Sequence, residues 1–352
     1  MKRMSDKKGR CVFISGMGVG SGYPVRVETM LKVPLYNLEE VVSKVRELER
    51  EGCELLRVAF PSLELKEQLQ CLIKSTNIPI MADIHFDPNL ALSAIEAGCP
   101  SVRINPGNMK NKKALREIVS AAKERGVVIR IGANGGSLAS SFYERAQGDQ
   151  AKALVLAVEE QIKLMWDEGF EDLIISAKAT SINATLKANI LLKQRYPYPL
   201  HIGITEAGPG VHGVTKSSVG IALMLSQGIG DTIRVSLTDS SVKEIKVGQE
   251  ILQALGIRRF RADLVSCPTC GRKRIDVQTL VKAIEPVLDK FPKDWTIAVM
   301  GCEVNGPKEA SSANLGVAGT LSGVVFFQHG KIVGKCSVED IETYVKTLIK
   351  HL

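Results

Sequence analysis

Three of the eight cysteines in this chain form a group that could bind a metal centre. Cys267 and Cys270, in VSCPTCGRKR, have the two-residue spacing that lets both sulfurs reach one metal, and Cys302 follows in VMGCEVNGPKEA. A structural zinc site normally has four Cys or His ligands, but the next candidates, His329 and Cys336, lie well beyond the motif. The spacing favours an iron-sulfur cluster with one unusual ligand, and it leaves a zinc site or no metal as alternatives.

The remaining cysteines, which are Cys11, Cys53, Cys71, Cys99 and Cys336, each stand alone in the sequence. Eight cysteines in a chain of 352 residues do not form a disulfide scaffold, which is typical of much shorter secreted proteins. Free cysteine is one of the most frequently buried residue types. We therefore expect these five to be small core side chains.

Charged and strongly polar residues recur at the ends of short apolar runs. Each run begins with apolar residues and gains a polar residue toward its carboxyl end. These residues are Glu28, Arg57, Asp83 with His85, Arg103 with Asn105, Arg130 with Asn134, Lys178, Glu206, and Arg234 with Ser236. If the runs are parallel strands of one barrel, their carboxyl ends meet at one mouth, where barrel enzymes carry their active sites.

The cations of this set outnumber its acids. Four arginines and Lys178 face three acids, Glu28, Asp83 and Glu206, and burying unpaired cations together without an anion is costly. Arginine holds phosphate oxygens through two parallel N–H bonds and lysine acts as a point charge, so the mixed set suits a diphosphate. For any single arginine, the alternative is a structural role with its stem packed on apolar neighbours.

Glu206, in TEAGPGVHG, is the strongest candidate for acid or base catalysis, because a carboxyl group at the mouth can exchange a proton with a bound ligand. Its alternative role is a salt bridge to a neighbouring Arg or Lys. The glycine-rich segments GANGGSL and TEAGPGVHG could bring backbone N–H groups to the ligand, or they could be simple tight turns.

The elements that must position these residues alternate regularly. The strand-like runs are PVRVETM, ELLRVAF, IPIMADIHF, SVRINPG, VVIRIGAN, DLIISAKA, YPLHIGIT and DTIRVSLT. Amphipathic helical segments such as NLEEVVSKVRELEREG and KKALREIVSAAKERG lie between them and end in glycine. Eight such units over about 230 residues predict a closed (β/α)8 TIM barrel, an α/β fold. The opening segment CVFISGMGVGSGYPVRV is compatible with a hairpin.

The chain is longer than one hydrophobic core usually serves. We therefore expect a diphosphate-binding barrel over residues 1–258 and a smaller α+β cluster domain over residues 259–352. The helix VKEIKVGQEILQALG must return from the mouth to the opposite end of the barrel, and a linker of about ten residues follows it. If mouth and cysteines form one active site, a head-to-tail homodimer with two-fold symmetry satisfies this constraint.

The composition excludes several classes of protein. The hydrophobic fraction of 45% and the charged fraction of 24% are ordinary for a globular protein. No apolar run approaches the roughly 20 residues that span a bilayer, and no signal core follows the basic N-terminus. We expect a cytoplasmic protein that does not enter a membrane. The net charge of +8 is spread along the chain, so an anionic small molecule is expected rather than a nucleic acid.

Seven segments together give the chain a family resemblance. They are ADIHFD, RINPGN, RIGANGGSL, PLHIGITEAG, GIGDTIRVSL, CPTCGR and MGCEVNGP. In this order they resemble motifs of the bacterial 4-hydroxy-3-methylbut-2-enyl diphosphate synthases of the non-mevalonate isoprenoid pathway, from Pro24 to about Gly319. The resemblance implies a TIM barrel followed by a [4Fe-4S] domain. It also implies a two-electron reductive ring opening and dehydration of 2-C-methyl-D-erythritol 2,4-cyclodiphosphate, with flavodoxin or ferredoxin as the electron donor.

The resemblance also assigns roles to individual positions. It implies that Cys267, Cys270 and Cys302 ligate the cluster together with an unusual carboxylate ligand, Glu309, and that Glu206 is the catalytic acid. The diphosphate contacts fall on Arg57, Arg103, Arg130, Lys178 and Ser236, with Asp83, His85, Asn105 and Asn134 beside them. The polar residues at the strand ends add Arg234 to this set.

Three short segments depart from the family pattern. Glu28 and Thr29 stand where the family usually has Gln and Ser, which adds a negative charge near the mouth. Lys308 replaces a glycine next to Glu309, which costs about 1 to 2 kcal/mol if that position needs a positive φ. The segment SAKAT replaces a more usual Ser-Val-Lys-Ala-Ser and keeps Lys178.

Three other interpretations compete with this one. A non-redox barrel with a phosphate site, such as a pterin-type synthase, could carry a structural zinc. A nucleic-acid-binding protein could use the positive charge. A radical S-adenosylmethionine enzyme would need a C-x3-C-x2-C motif early in the barrel, and the sequence has none.

Overall fold

The computed structural model describes residues 9–108, 112–302, 313–329 and 331–350. The chain divides into two compact units, Met1–Arg258 and Arg259–Leu352. Among the helices of these described ranges, none combines the length and apolar character that crossing a membrane requires.

The first unit opens with the antiparallel hairpin β1 (Cys11–Ile14) and β2 (Met17–Gly20). Ser15 and Gly16 form its turn with φ of 47° and 80°, as a two-residue turn that matches strand twist requires. The hairpin buries three aliphatic side chains against residues in the first or second position of four barrel strands, Leu55, Met81, Val128 and Ile174. It therefore closes the amino end of the barrel.

Eight parallel strands follow and form the barrel. They are β3 (Arg26–Met30), β4 (Leu55–Ala59), β5 (Ile80–Asp83), β6 (Ser101–Arg103), β7 (Val128–Asn134), β8 (Leu173–Lys178), β9 (His201–Ile202) and β10 (Thr232–Ile233). Their order around the sheet is β8-β7-β6-β5-β4-β3-β10-β9, and a parallel bridge between Ile175 and Leu200 joins β8 to β9. The predicted (β/α)8 barrel is confirmed, with β9 and β10 shorter than the sequence suggested.

Helices cover the outside of the barrel. They are α1 (Leu38–Arg50), α2 (Lys66–Lys74), α3 (Pro88–Glu96), α4 (Lys112–Arg125), α5 (Ser140–Arg145), α6 (Gln150–Asp167), α7 (Ile182–Arg195), α8 (Gly210–Leu225) and α9 (Ser241–Ala254). Polar N-cap residues such as Asn37, Asp149 and Ser240 accept hydrogen bonds from backbone N–H groups of the first turns. Gly52 and Gly126 follow α1 and α4 with positive φ, as the glycine-ended helical segments predicted.

The first unit ends at the amino end of the barrel. Nη1 of Arg258 donates to the carbonyl oxygen of Val25 at 2.7 Å and to Oε2 of Glu54 at 2.6 Å. Val25 and Glu54 immediately precede β3 and β4. The chain therefore leaves the barrel at the end opposite to the carboxyl ends of the strands.

The second unit is built on a five-stranded mixed sheet. Its strands are β11 (Asp263–Ser266), β12 (Thr296–Met300), β13 (Leu315–Thr320), β14 (Gly323–Gln328) and β15 (Lys331–Cys336). The first three strands are parallel, and β14 and β15 add antiparallel. Helices α10 (Val277–Ile284) and α11 (Ile341–Lys350) contribute to one apolar core with the sheet, which includes Leu280, Val317, Phe326 and Val345. This α+β arrangement agrees with the prediction.

Candidate active site

The carboxyl ends of the barrel strands form a polar cavity. Strand register places Asp83 opposite Arg103, Arg103 opposite Arg130, and Asn134 opposite Lys178. Six of the polar side chains that line the cavity are Arg57, Arg103, Arg130, Asn134, Lys178 and His201. The structure therefore brings most of the predicted cations together in one place.

Arg130 is held by Glu28 across the centre of the barrel. Nη1 of Arg130 lies 2.5 Å from Oε2 of Glu28, and Nη2 lies 2.9 Å from Oε1. Arg130 is 2% exposed and Glu28 is 0% exposed. A buried bidentate pair of this kind fixes the guanidinium plane, because both N–H bonds lie in one plane with the carboxylate.

Asp83 organises a second group of basic side chains. Its Oδ2 accepts from Nη2 of Arg57 at 2.8 Å and lies 3.2 Å from Nε2 of His85, and its Oδ1 lies 3.6 Å from Nη1 of Arg103. Although burial raises the pKa of Asp83, the His85 hydrogen bond and the charges of Arg57 and Arg103 hold it well below its ordinary value. Burial in turn lowers the pKa of Arg103 to about 10. Asp83 is thus a permanent anion that aligns two arginines.

Lys178 contacts His201 rather than a carboxylate. Nζ of Lys178 lies 3.1 Å from Nε2 of His201, and Nδ1 of His201 lies 2.8 Å from Oγ1 of Thr232. Burial, followed by the charges of nearby arginines, lowers the pKa of Lys178 well below its ordinary value. Burial and Lys178 do the same to the pKa of His201. His201 did not emerge from the sequence as a site residue.

Glu244, the first-turn acid of α9, holds the segment that follows β10. Its carboxylate accepts from Oγ1 of Thr29 at 2.7 Å, from the backbone N–H of Leu237 at 2.9 Å and from Nζ of Lys32 at 2.9 Å. Arg234 Nε lies 3.9 Å from the same carboxylate. Burial lowers the pKa of Arg234. The sequence did not predict Glu244 as part of the site, although its carboxylate lies beside Arg234, which was predicted.

Two arginine nitrogens at the mouth are left without a hydrogen-bond partner in the described part of the chain. Nε of Arg57 and Nε of Arg234 are both buried and donate no hydrogen bond, and Oδ1 of Asp83 is also without one. Buried polar groups normally have a hydrogen-bond partner. Unused buried donors on two cationic side chains indicate a place for an anion.

Glu206 lies outside this packed cluster. Its side chain is exposed, and its backbone has a φ of 51° in the turn after β9. Unlike Glu28 and Asp83, Glu206 is not buried among the cations, and its role as an acid at the mouth stays a prediction. Glu244 is the third buried acid beside the mouth.

The remaining predicted residues surround the mouth. His85 is exposed apart from its contact with Asp83, and Asn105 accepts the backbone N–H of Gly107 at 3.2 Å in the loop after β6. Asn134 ends β7 and Ser236 follows β10, and both are partly buried. None of these four side chains is locked into the interior, so each is accessible to a ligand.

The two glycine-rich segments form turns beside the mouth. GANGGSL runs from the end of β7 into a short 3-10 turn at Gly135–Ser137. In TEAGPGVHG, Gly208 and Gly210 have φ of 105° and 51°, and α8 begins at Gly210. Both glycines adopt the left-handed conformation that L side chains rarely take. Both segments therefore form turns, and the second one leads directly into α8.

Two of the three grouped cysteines share one edge of the second unit. Cys267 follows β11, and its N–H donates to the carbonyl of Val299 in β12 at 2.9 Å. Cys302 follows the adjacent parallel strand β12 and is 5% exposed. Cys270 is exposed in the turn beyond Cys267, and hydrogen bonds from the backbone and side chain of Arg272 lower its pKa. All three are free thiols.

These thiols fit an iron-sulfur cluster by the chemistry of their donor set, because cysteine thiolates are the usual ligands of such clusters. Within the described ranges, no three His, Cys, Asp or Glu side chains are close enough together to hold a metal ion. The fourth predicted ligand, Glu309, and the departure at Lys308 lie outside the described residues.

The isolated cysteines only partly follow the expectation of burial. Cys53 and Cys99 are buried, and burial raises the pKa of each thiol to about 12. Cys336 is partly buried, whereas Cys11 and Cys71 are exposed. The prediction is wrong for the last two, because Cys11 opens the hairpin at an outward-facing position and Cys71 lies on the solvent face of α2.

Comparison with solved structures supports the barrel fold alone. The 7,8-dihydropteroate synthase from Vibrio fischeri superposes with a TM-score of 0.50 at 12% sequence identity, and the match covers 70% of this chain and 99% of that one. At this identity the likeness says nothing about activity.

Comparison with protein sequences is far more specific. The 4-hydroxy-3-methylbut-2-en-1-yl diphosphate synthase (flavodoxin) of Thermodesulfovibrio yellowstonii is 43% identical over 92% of this chain and 93% of its own length. The protein of the same name from Ruminiclostridium cellulolyticum is 38% identical over 100% of this chain and 98% of its own. Family models described as the GcpE TIM-barrel domain and the GcpE protein C-terminal domain match residues 9–249 and 263–351. The chain belongs to the GcpE family.

Proposed function

We propose that this protein is a 4-hydroxy-3-methylbut-2-en-1-yl diphosphate synthase. It converts 2-C-methyl-D-erythritol 2,4-cyclodiphosphate to 4-hydroxy-3-methylbut-2-enyl diphosphate by reductive ring opening and dehydration, a step of isoprenoid precursor synthesis. The observation that carries the proposal is the cation-rich barrel mouth with unused donors on Arg57 and Arg234, in a chain whose relatives bear that name over nearly their full length.

The cationic side chains of the mouth bind the diphosphate. Arg57 and Arg103, which Asp83 aligns, present N–H groups to phosphate oxygens. Arg130 presents the N–H groups that its ion pair with Glu28 does not use. Lys178 and Arg234 add charge from β8 and from the segment after β10. A multiply charged anion offsets the free-energy cost of burying these cations together.

Polar side chains at the rim orient the rest of the substrate. Asn105, Asn134 and Ser236 offer neutral hydrogen-bonding groups, and His85 offers an imidazole held by Asp83. Neutral donors and acceptors suit the hydroxyl groups of a sugar-derived carbon chain. Their role is to fix which carbon and which oxygen of the substrate face the reacting end of the mouth.

Glu206 is the catalytic acid in this proposal. Its backbone has a positive φ of 51°, a conformation that costs about 1 to 2 kcal/mol for a residue with a side chain. Strain of this kind is often kept where a side chain must be aimed for function. Glu206 gives its proton to the oxygen that leaves as water, and the exposed side chain regains a proton from solvent.

A [4Fe-4S] cluster held by Cys267, Cys270, Cys302 and Glu309 is the proposed cofactor. When bound, such a cluster supplies two electrons one at a time from reduced flavodoxin or ferredoxin. What supports it in this chain is the pair of cysteine-bearing strand ends, β11 and β12, at one sheet edge. The three thiols provide the permanent ligands, and a carboxylate from Glu309 completes the set.

The protein is further proposed to work as a head-to-tail homodimer. The first unit ends at the amino end of its barrel, where Arg258 contacts Val25 and Glu54, whereas the cationic mouth lies at the opposite end. A second copy with two-fold symmetry would supply its cysteines to the mouth of the first, and the first would do the same for the second.

Counts of iron and acid-labile sulfide on anaerobically purified protein test this proposal. We expect about four of each per chain, and Cys267→Ser, Cys270→Ser or Cys302→Ser to lose iron and visible absorption. Cys336→Ser, in β15 of the same unit and partly buried, is the matched control and keeps the cluster. A colourless native protein that carries one zinc ion would refute the proposal and favour a non-redox barrel.

A further inference from the structure

Two basic side chains meet in the interior of the barrel mouth without an acid between them. Nζ of Lys178 and Nε2 of His201 are 3.1 Å apart, and the two side chains are 7% and 1% exposed. In the described part of the chain, Lys178 makes no ion pair, in contrast to Arg57 and Arg130, which pair with Asp83 and Glu28. Lys178 is therefore a buried amine whose described polar partner is another base.

The contacts of His201 favour one tautomer. Nδ1 faces Oγ1 of Thr232 at 2.8 Å and lies 3.6 Å from Oε2 of Glu28. Both oxygens can accept a hydrogen bond and the Glu28 carboxylate can only accept, so we assign the proton to Nδ1, which leaves Nε2 as an acceptor toward Lys178. Two nitrogens joined by one hydrogen bond share a single proton at that contact, so the pair behaves as one titrating unit.

Charges on the surrounding strands oppose a proton on this unit when no anion is bound. Arg57 on β4, Arg130 on β7 and Arg234 after β10 face both bases, and Glu28 on β3 is the acid that faces them. Glu28 is already engaged by Arg130. Burial and these cations lower the pKa of both Lys178 and His201 well below their ordinary values.

We propose that Lys178 and His201 form a proton-accepting pair that takes up one proton from solvent when the diphosphate binds. The bound anion offsets the repulsion from the arginines, and the pair then holds the proton as the ammonium of Lys178. That ammonium donates to a phosphate oxygen and to Nε2 of His201. Lys178 contacts the ligand, whereas His201 acts through Lys178 and is a positioning residue.

This inference rests on the proposed function, since it takes the cyclic diphosphate as the ligand. Each phosphorus of a cyclic diphosphate carries a single, strongly acidic hydroxyl group, so the ligand is fully ionised at neutral pH. Its own protonation state is therefore the same in solution and in the site. Any net proton uptake on binding therefore belongs to the protein. The Lys178–His201 pair is the group whose protonation the anion changes most.

Calorimetric titration measures this uptake directly. The cluster-containing protein, oxidised and without a reductant so that no turnover occurs, is titrated with the cyclic diphosphate at one pH in buffers with different heats of ionisation. We expect an uptake that approaches one proton per site. Lys178→Arg, whose side chain stays protonated, is expected to bind the ligand with no uptake. Lys187→Arg, an exposed lysine on α7, is the matched control and keeps the uptake.

A second pair of variants tests the role of His201. His201→Leu removes the acceptor for the bound ammonium, so affinity for the diphosphate is expected to fall about tenfold and half-maximal uptake to move to lower pH. His201→Gln keeps an acceptor oxygen, so it should recover most of both. If His201→Leu acted only through a general folding defect, His201→Gln would not restore the pH profile.

The possible failures are distinguishable. Binding with the same heat in every buffer overturns the proton-accepting pair and leaves the proposed function intact. Proton uptake that persists in full in Lys178→Arg also overturns it, because another group would then be responsible. If neither the native protein nor the active-site variants give any binding heat in any buffer, the proposed function is overturned together with the proton-accepting pair.

Discussion

Arg130 and Glu28 form a bidentate ion pair at the centre of the barrel mouth, with N–O distances of 2.5 and 2.9 Å. The pair joins β3 to β7 across the barrel rather than between neighbouring strands. Glu28 cancels the charge of Arg130, whereas Asp83 is shared between Arg57 and Arg103.

Replacement of this acid by its neutral isostere tests its influence on binding. In Glu28→Gln, we expect affinity for the cyclic diphosphate to rise about tenfold, because a buried negative charge beside the anion is removed. The free energy of unfolding should fall by about 2 to 4 kcal/mol, since Arg130 stays buried without its counter-charge. Calorimetry and denaturant titration measure the two effects.

Glu54→Gln is the matched control for this change. Glu54 pairs with Arg26 and Arg258 at the amino end of the barrel, so its loss should lower stability and leave affinity unchanged. If Glu28→Gln binds the diphosphate more weakly than the native protein, Glu28 is a direct contributor to binding and the counter-charge account is wrong.

Asp83 should make stability depend on pH in the acid range. Its pKa is lower in the folded protein than in the unfolded chain, so its contribution is present above the unfolded value of about 3.9 and is lost as pH falls toward the folded value. This group alone should change the free energy of unfolding by up to about 1.4 kcal/mol per pH unit below pH 4. Denaturant titrations of native protein and Asp83→Asn at several pH values measure the difference.

The surface acid Asp239 provides the comparison for this experiment. It pairs with Lys243 at an exposed position, where solvent screening makes such pairs weak. Asp239→Asn should keep nearly the full pH dependence of the native protein. An Asp83→Asn variant with an unchanged slope would show that its carboxylate is not the anion that aligns Arg57 and Arg103.

Glu206→Gln tests the catalytic acid. Because Glu206 is exposed and the amide keeps its size, the free energy of unfolding should change by less than about 0.5 kcal/mol. The turnover number should fall about 100-fold, the lower range for a lost general acid, with little effect on substrate affinity. Steady-state kinetics measure both, and Glu124→Gln, an exposed acid on α4, is the control. Full turnover by Glu206→Gln would remove it from the mechanism.

Mixing of two inactive variants tests whether the active site is shared between chains. Arg57→Met disables the mouth and Cys302→Ser disables the cluster, so each alone should be inactive. If chains exchange at random in a homodimer, half of the dimers are mixed and each has one intact site, which gives about one quarter of native activity. Activity after co-refolding or co-expression measures this. A mixture as inactive as its parents would contradict a site shared by two subunits.

The fold followed closely from local signals. Most amphipathic segments ended in glycine and each strand-like run was short and largely apolar, so the order of elements in β3–β10 was readable without tertiary information. Strand ends also carried most of the mouth cations, because a parallel barrel brings all carboxyl ends together. What a strand-end rule cannot give is the burial of a side chain: Glu28 is buried, whereas Glu206 is exposed.

The missed residues depended on packing that spans long sequence separations. His201 occurs inside the run YPLHIGIT, and only its contacts with β8 and β10 turn it toward the mouth. Glu244 lies 215 residues along the chain from its hydrogen-bond donor Thr29. A signal for Glu244 was present: it precedes the buried Gly248 and Ile251 by four and seven residues, and so lies on the inner face of α9.

The measurement that tests the central claim most directly is turnover under anaerobic conditions. The reduced, cluster-containing protein is incubated with 2-C-methyl-D-erythritol 2,4-cyclodiphosphate, and the products are identified by mass and by reference to the authentic compound. We predict 4-hydroxy-3-methylbut-2-enyl diphosphate, with two reducing equivalents consumed per product molecule. A protein that holds its cluster and binds the cyclic diphosphate but returns it unchanged with every reductant would contradict the account.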